Sequence, residues 1–255
     1  METSSYHVAL YVPGNKPGLI ERALLCPVPA VVIDLEDGVP TNAKREALLL
    51  TRECLHFYRE LSTRKLIVVR INPLSSTGAS EVELLWGAPW DRLRVPKVSS
   101  ADELRALATL LEKQTARARR PARTFVELMI ESLYAAENID QLARLPFLAA
   151  FTVGREDLTL DLRQRNPERP AEWAESEVEV VKEKIAQRAA ELGFASFDST
   201  HMDLKNADAF LADCRRSRAM GFSGRSIIHP AQLRIADAVY STRRTENVAI
   251  AGGEK

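Results

Sequence analysis

Short apolar, largely β-branched runs recur along the chain at residues 7–12, 30–35, 65–71, 92–98, 124–130, 149–153, 194–197 and 224–228. Most are continuous rather than alternating. That is the pattern of strands covered on both faces, hence parallel strands. Helical periodicity fills the intervals, over 17–25, 41–61, 77–87, 100–111, 132–145, 171–192, 207–220 and 230–242. Ser100-Ala101-Asp102-Glu103 opens one of these as a capping box, followed by Leu104, Leu107, Leu110 and Leu111. Eight strands alternating with eight helices, at a spacing of about 25–35 residues, predict a single (β/α)8 barrel, a TIM barrel. The barrel is expected over about 6–242, with a short tail at 243–255. A doubly wound open sheet is the competing architecture. Its nucleotide-binding form needs GxGxxG after the first strand, where this chain has only Gly14. The polar, arginine-rich stretch 159–173, with Pro167 and Pro170, is expected to be a loop beside the site.

Composition narrows the class of function. At 255 residues and 45% hydrophobic, the chain can bury a full core. Lys plus Arg and Asp plus Glu each number 35, and this balance argues against nucleic acid as the main partner. Arg117, Arg119, Arg120 and Arg123 form the one dense basic stretch and read as a solvated helix end. Cys26, Cys54 and Cys214 are odd in number and far apart, which argues against a zinc site or a disulfide frame and for a reducing compartment. Neither a secretory signal nor a membrane span is expected, so the predicted location is cytoplasmic.

In a barrel the chemistry gathers at the C-terminal strand ends. Those ends carry Asp34, Glu36 and Asp37; Arg70 and Asn72; Lys97; Glu131; Gly154, Arg155, Glu156 and Asp157; and His229. Any one of these reads equally well as a helix cap or a rim ion pair. Glu131 and Asp157, from adjacent strand ends, are candidate ligands of one hard divalent cation. Mg²⁺ takes one or two carboxylates and keeps the remaining positions for water and substrate oxygens. Arg70 is a candidate fork for a substrate carboxylate. Backbone N–H groups after Gly154 offer an anion pocket. A metal polarising a carbonyl beside a carboxylate stabilises an enolate, so the set points to aldol or retro-aldol chemistry on an oxo acid. Lys97 is expected to pair with a rim carboxylate rather than form a Schiff base. His229, His56 and His201 are expected to be structural.

The segments Leu10-Tyr11-Val12-Pro13-Gly14-Asn15, Ile33-Asp34-Leu35-Glu36-Asp37, Val69-Arg70-Ile71-Asn72-Pro73, Val95-Pro96-Lys97, Ile130-Glu131, Gly154-Arg155-Glu156-Asp157-Leu158 and Ile228-His229-Pro230 occur in that order. Together they resemble the citrate lyase beta-subunit-like group of the HpcH/HpaI aldolase superfamily. The resemblance implies Mg²⁺, or Mn²⁺ in its place, on Glu131 and Asp157. It implies an oxo-acid carboxylate on Arg70, and Glu36 and Asp37 ordering Arg70 and metal-bound water. Gly154, Arg155 and Glu156 join the expected substrate contacts. The implied reaction cleaves a citramalyl-, malyl- or citryl-thioester to acetyl-CoA and a 2-oxo acid, with CoA as part of the substrate. Thioester hydrolysis and non-catalytic binding of an oxo acid are the alternatives. A homotrimer or other homo-oligomer is implied, and an acyl-carrier protein is a conceivable partner. Two features depart from the pattern. His7 stands where the family has an arginine, and residues 243–255 lack the aspartate-bearing extension of longer members, so that either a different group handles the proton or the resemblance is to the shorter branch.

Overall fold

A computed structural model of the chain describes residues 6–58, 65–118 and 125–241. Eight strands close into a parallel barrel in sequence order: β1 (Val8–Pro13), β2 (Ala30–Asp34), β3 (Leu66–Arg70), β4 (Arg92–Val95), β5 (Val126–Ile130), β6 (Leu148–Val153), β7 (Ala195–Asp198) and β8 (Gly224–Ile227). β8 pairs with β1 and completes the ring. The predicted (β/α)8 barrel is therefore the observed fold. Its strands read as unbroken apolar runs because helices cover the outside and side chains fill the inside.

The helices are α1 (Pro17–Leu25), α2 (Lys44–Phe57), α3 (Gly78–Leu85), α4 (Ala101–Ala118), α5 (Leu133–Glu137), α6 (Ile139–Leu142), α7 (Arg155–Arg165), α8 (Ala171–Glu191), α9 (Ala207–Met220) and α10 (Leu233–Tyr240). Leu10, Val31, Ile33, Ile67 and Val69 belong to the large hydrophobic cluster that includes helix residues such as Ile20, Leu48 and Val82. A second, smaller cluster holds the alternate strand residues Ala9, Ala30, Val32, Val68, Ala150 and Phe197 and fills the barrel interior. Beside it lies a buried ionic group. Glu127 accepts hydrogen bonds from Arg92 Nη1 at 3.0 Å, Arg94 Nε at 2.9 Å and Tyr6 Oη at 2.8 Å.

One expected element is corrected. The stretch 159–173 is not a loop. α7 runs through Arg165, and only residues 166–170 separate it from α8. α7 buries just Leu158, Thr159 and Leu162, so its apolar stripe is short. Ion pairs compensate, Asp161 with Arg165 at 2.9 Å and Arg163 with Glu175 of α8 at 2.6 Å. The segment predicted as one helix over 132–145 is two short ones, α5 and α6, meeting at Asn138. The side chains of the basic cluster at Arg117, Arg119, Arg120 and Arg123 lie outside the described residues, as does the tail 243–255.

Candidate active site

Parallel register builds the first part of the site. Asp34 and Arg70 are paired neighbours at the ends of β2 and β3. Arg70 Nε donates to Asp34 Oδ1 at 2.6 Å and Nη2 donates to Oδ2 at 2.7 Å, a bidentate contact. The same carboxylate accepts the backbone N–H groups of Glu36 and Gly38 at 2.9 and 2.8 Å. Burial opposes its charge, but Arg70 outweighs burial and holds the Asp34 carboxyl below its ordinary range. This corrects one expectation. The Nε/Nη2 edge of Arg70 grips Asp34, not an incoming ligand. Its Nη1 lies 2.8 Å from Glu36 Oε2 and 3.4 Å from Asp37 Oδ2.

Lys97 supplies the second cation. Pro96 follows β4, and the backbone of Lys97 turns into the left-handed region at φ 52°, an uncommon and costly conformation for a residue with a Cβ. That turn aims its N–H at Glu131 Oε2, 2.8 Å away. Its amine lies 2.9 Å from Glu36 Oε1, 3.5 Å from Asp37 Oδ1 and 3.6 Å from Asp157 Oδ2. The expected rim pairing of Lys97 is thus observed. Although burial opposes its charge, Glu36 holds the Lys97 amine above its ordinary range.

Glu131 follows β5 and is 5% exposed. Burial, reinforced by the Glu36 carboxylate, pushes its carboxyl up to about 8. Burial likewise pushes Glu36 up, against the pull of Arg70. Asp157 lies in the first turn of α7, next to the strand end that carries Gly154. A Cβ on Gly154 would fall 2.3 Å from Glu131 Oε1, so only glycine leaves room for that carboxylate.

Asp34, Arg70, Glu131 and Asp157 share one cavity of about 430 Å³, lined also by Tyr11, Arg94 and Thr152, whereas Glu36 and Lys97 do not line it. Asp37, Gly154 and Glu156 also line it. Arg155 does not, which corrects its expected role as a substrate contact. Its guanidinium is held by Glu175 and Glu179 of α8 at 2.7 and 3.2 Å. Successive helical residues splay by about 100°, so Arg155, Glu156 and Asp157 cannot all face one cavity. His229 caps the turn at Pro230 by accepting the Ala231 N–H at 3.1 Å, a structural task as expected. His7 pairs with Asp237 at 2.7 Å, at the start of β1 and thus at the opposite end of the barrel from Asp34.

Among the described residues, the five carboxyls Asp34, Glu36, Asp37, Glu131 and Asp157 face two cations in this cluster, Arg70 and Lys97. The cluster thus carries more negative than positive side chains, and burial also disfavours the Glu131 carboxylate. A divalent cation on Glu131 and Asp157 would offset that excess. The donors are all oxygen, which suits Mg²⁺ or Mn²⁺ rather than zinc. Among the described residues, no group of three or more His, Cys, Asp and Glu is arranged to hold a metal. A cation here would therefore keep most of its positions for water and ligand oxygens.

Residues 7–230 match the family model described as HpcH/HpaI aldolase/citrate lyase. The chain is 32% identical over 243 residues to a (3S)-malyl-CoA thioesterase of Cereibacter sphaeroides, covering 94% of this chain and 79% of the relative. It is 28% identical over 251 residues to the citrate lyase subunit beta of Escherichia coli, covering 96% and 80%. Among solved structures, the citrate lyase beta subunit of M. tuberculosis complexed with oxaloacetate and magnesium superposes with a TM-score of 0.72. Its identity is 24%, with 93% of this chain and 97% of that one covered.

Proposed function

Because the chain belongs to the HpcH/HpaI aldolase/citrate lyase family, we propose that it is a Mg²⁺-dependent carbon–carbon lyase. It cleaves a short 3-hydroxyacyl-CoA of the citramalyl, malyl or citryl type to acetyl-CoA and a 2-oxo acid. One observation carries the reading. Glu131 and Asp157, with Arg70, open on a single cavity whose carboxyls outnumber its cations. Relatives point the same way, since one neighbour's name records oxaloacetate and magnesium and another is named citrate lyase.

Glu131 and Asp157 would hold the cation, which when bound would polarise the substrate's oxygenated carbon. The chain's own groups do the rest. Asp34 fixes the guanidinium plane of Arg70, leaving its Nη1 side toward Glu36 and Asp37. Arg70 then supplies fixed positive charge for the carboxylate end of the substrate. Lys97 ties Glu36 and Glu131 into one unit, through its amine and its backbone N–H respectively. Ion pairing thereby holds the acidic side chains in place before ligand arrives.

Thioester hydrolysis is the second reading, favoured by the thioesterase names of relatives at 30–32% identity. The deciding assay mixes the protein, Mg²⁺ and each of citramalyl-, malyl- and citryl-CoA and identifies the products. Acetyl-CoA with pyruvate, glyoxylate or oxaloacetate supports the lyase. Free CoA with an intact hydroxy diacid or triacid supports the hydrolase. Absence of either product, together with unaltered Mg²⁺ binding by Glu131→Gln, rejects both.

A further inference from the structure

Three hydroxyls that line the cavity have donors to spare. Tyr11, on β1, is half-buried and lines the cavity. Its hydroxyl oxygen accepts from Arg94 Nη1 at 2.7 Å. A guanidinium has no acceptor, so the phenol's own proton is left for another group. No described residue accepts it. Ser226 Oγ is in the same position, accepting from Arg94 Nη1 at 3.0 Å. The Thr152 hydroxyl, on a third lining residue, is buried with no partner at all. Glu127, the buried carboxylate behind Arg94, is already engaged by Arg92, Arg94 and Tyr6. Buried polar groups are almost always satisfied, so a cluster of spare donors facing a cavity calls for an acceptor from outside.

Tyr11 is also tied to the rim residues. The Arg70 guanidinium lies 5.0 Å from the centre of the Tyr11 ring, and that of Arg94 lies 5.3 Å from it. A ligand held at Glu131, Asp157 and Arg70 therefore lies next to the Tyr11 side chain. The part of an oxo acid left to meet these hydroxyls is the substituent on C2: hydrogen in glyoxylate, methyl in pyruvate, a carboxymethyl group in oxaloacetate. Only the last brings acceptors.

Resting on the functional reading above, we propose that Tyr11 is a specificity-determining residue. Its hydroxyl, backed by Arg94, donates to a second carboxylate on the C2 substituent. The site therefore favours a four-carbon diacid over acids with methyl or hydrogen there. No bond is made or broken in this step.

Two stable 2-hydroxy acids that differ only in the second carboxylate, malate and lactate, test it by calorimetry with Mg²⁺ present. Wild type is expected to bind malate about tenfold more tightly than lactate, the worth of one such hydrogen bond. Tyr11→Phe, which keeps the ring between the two guanidiniums, is expected to bring that ratio close to one and leave lactate affinity unchanged. Wild type that binds lactate but prefers malate no more overturns the proposal, whatever the variant does, while the oxo-acid site stands. So does a ratio unmoved by Tyr11→Phe. Failure of both acids to bind overturns the functional reading and this subsite with it.

Discussion

Two buried ionic clusters in this barrel have opposite characters. One is the rim of β2, β3, β4 and β5 with the start of α7. The other is the wedge between α8, β7, α9 and β8. In the wedge, Lys182 lies 3.2 Å from Asp198, and Arg225 lies 2.7 Å from Asp213. Three cations there face three carboxylates once Arg216, 2.8 Å from Asp213, and Glu179, 3.3 Å from Lys182, are added, with His201 beside Asp213 at 3.1 Å. Burial opposes both aspartates, yet the cations prevail. Asp198 is held low, chiefly by Lys182, and Asp213 is held at about 2, chiefly by Arg225. At the rim the balance fails, and burial pushes Glu131 up to about 8. The rim also carries the left-handed Lys97 and the close approach of Glu131 to Gly154. A matched cluster braces the fold. An unmatched one, with strain and crowding around it, is poised for a ligand.

That contrast can be broken most severely in the wedge. Arg225→Met takes from Asp213 and Asp198 the cation they share, leaving Lys182 on Asp198 and the exposed Arg216 on Asp213, and is expected to cost about 3 kcal/mol in urea unfolding. Mg²⁺ affinity per folded molecule should stay as in wild type. At the rim the order reverses. Gly154→Ala drives a methyl against Glu131. Steady-state assays should show activity falling about a hundredfold, with stability changed by about 1–2 kcal/mol. Lys97→Met removes the amine that partly balances Glu36, Asp37 and Asp157. Titration should show Mg²⁺ binding a few-fold tighter, roughly the effect of one screened charge. Weaker binding would mean that Lys97 organises the carboxylates more than it offsets them.

The smallest effect concerns pH. The Asp213 carboxyl sits lower in the folded chain than in the unfolded one. Its contribution is complete above about pH 5 and is lost as pH falls from about 4 towards 2. It amounts to about 1 kcal/mol once solvent screening is allowed for. Thermal melts across that range should show a shallower decline in Asp213→Asn than in wild type.

Strand positions were legible because covering both faces of a parallel sheet leaves an unbroken apolar run, as in Val31-Val32-Ile33. The acidic tips were legible for a related reason: charge directly after such a run must sit at a barrel mouth. What escaped depended on partners distant in sequence. Asp34 looked like one carboxylate of three until the β2–β3 register set it beside Arg70. Arg155 looked like a neighbour of Asp157 until α8 offered it two glutamates. α7 went unread because its leucines, at 158, 160 and 162, alternate as in a strand, and Leu160 is exposed. Its hold on α8 is electrostatic rather than apolar. Tyr11 gave no signal because its importance rests on the direction in which one hydrogen points.

The meeting of β8 with β1 carries a consequence for how such a molecule can change. Every stave has both flanks occupied, so the wall has no seam at which a new chain could insert or a sheet could unzip. Replacements at the staves' tips leave that wall intact. One cylinder can then host kindred proteins whose names record different bond cleavages.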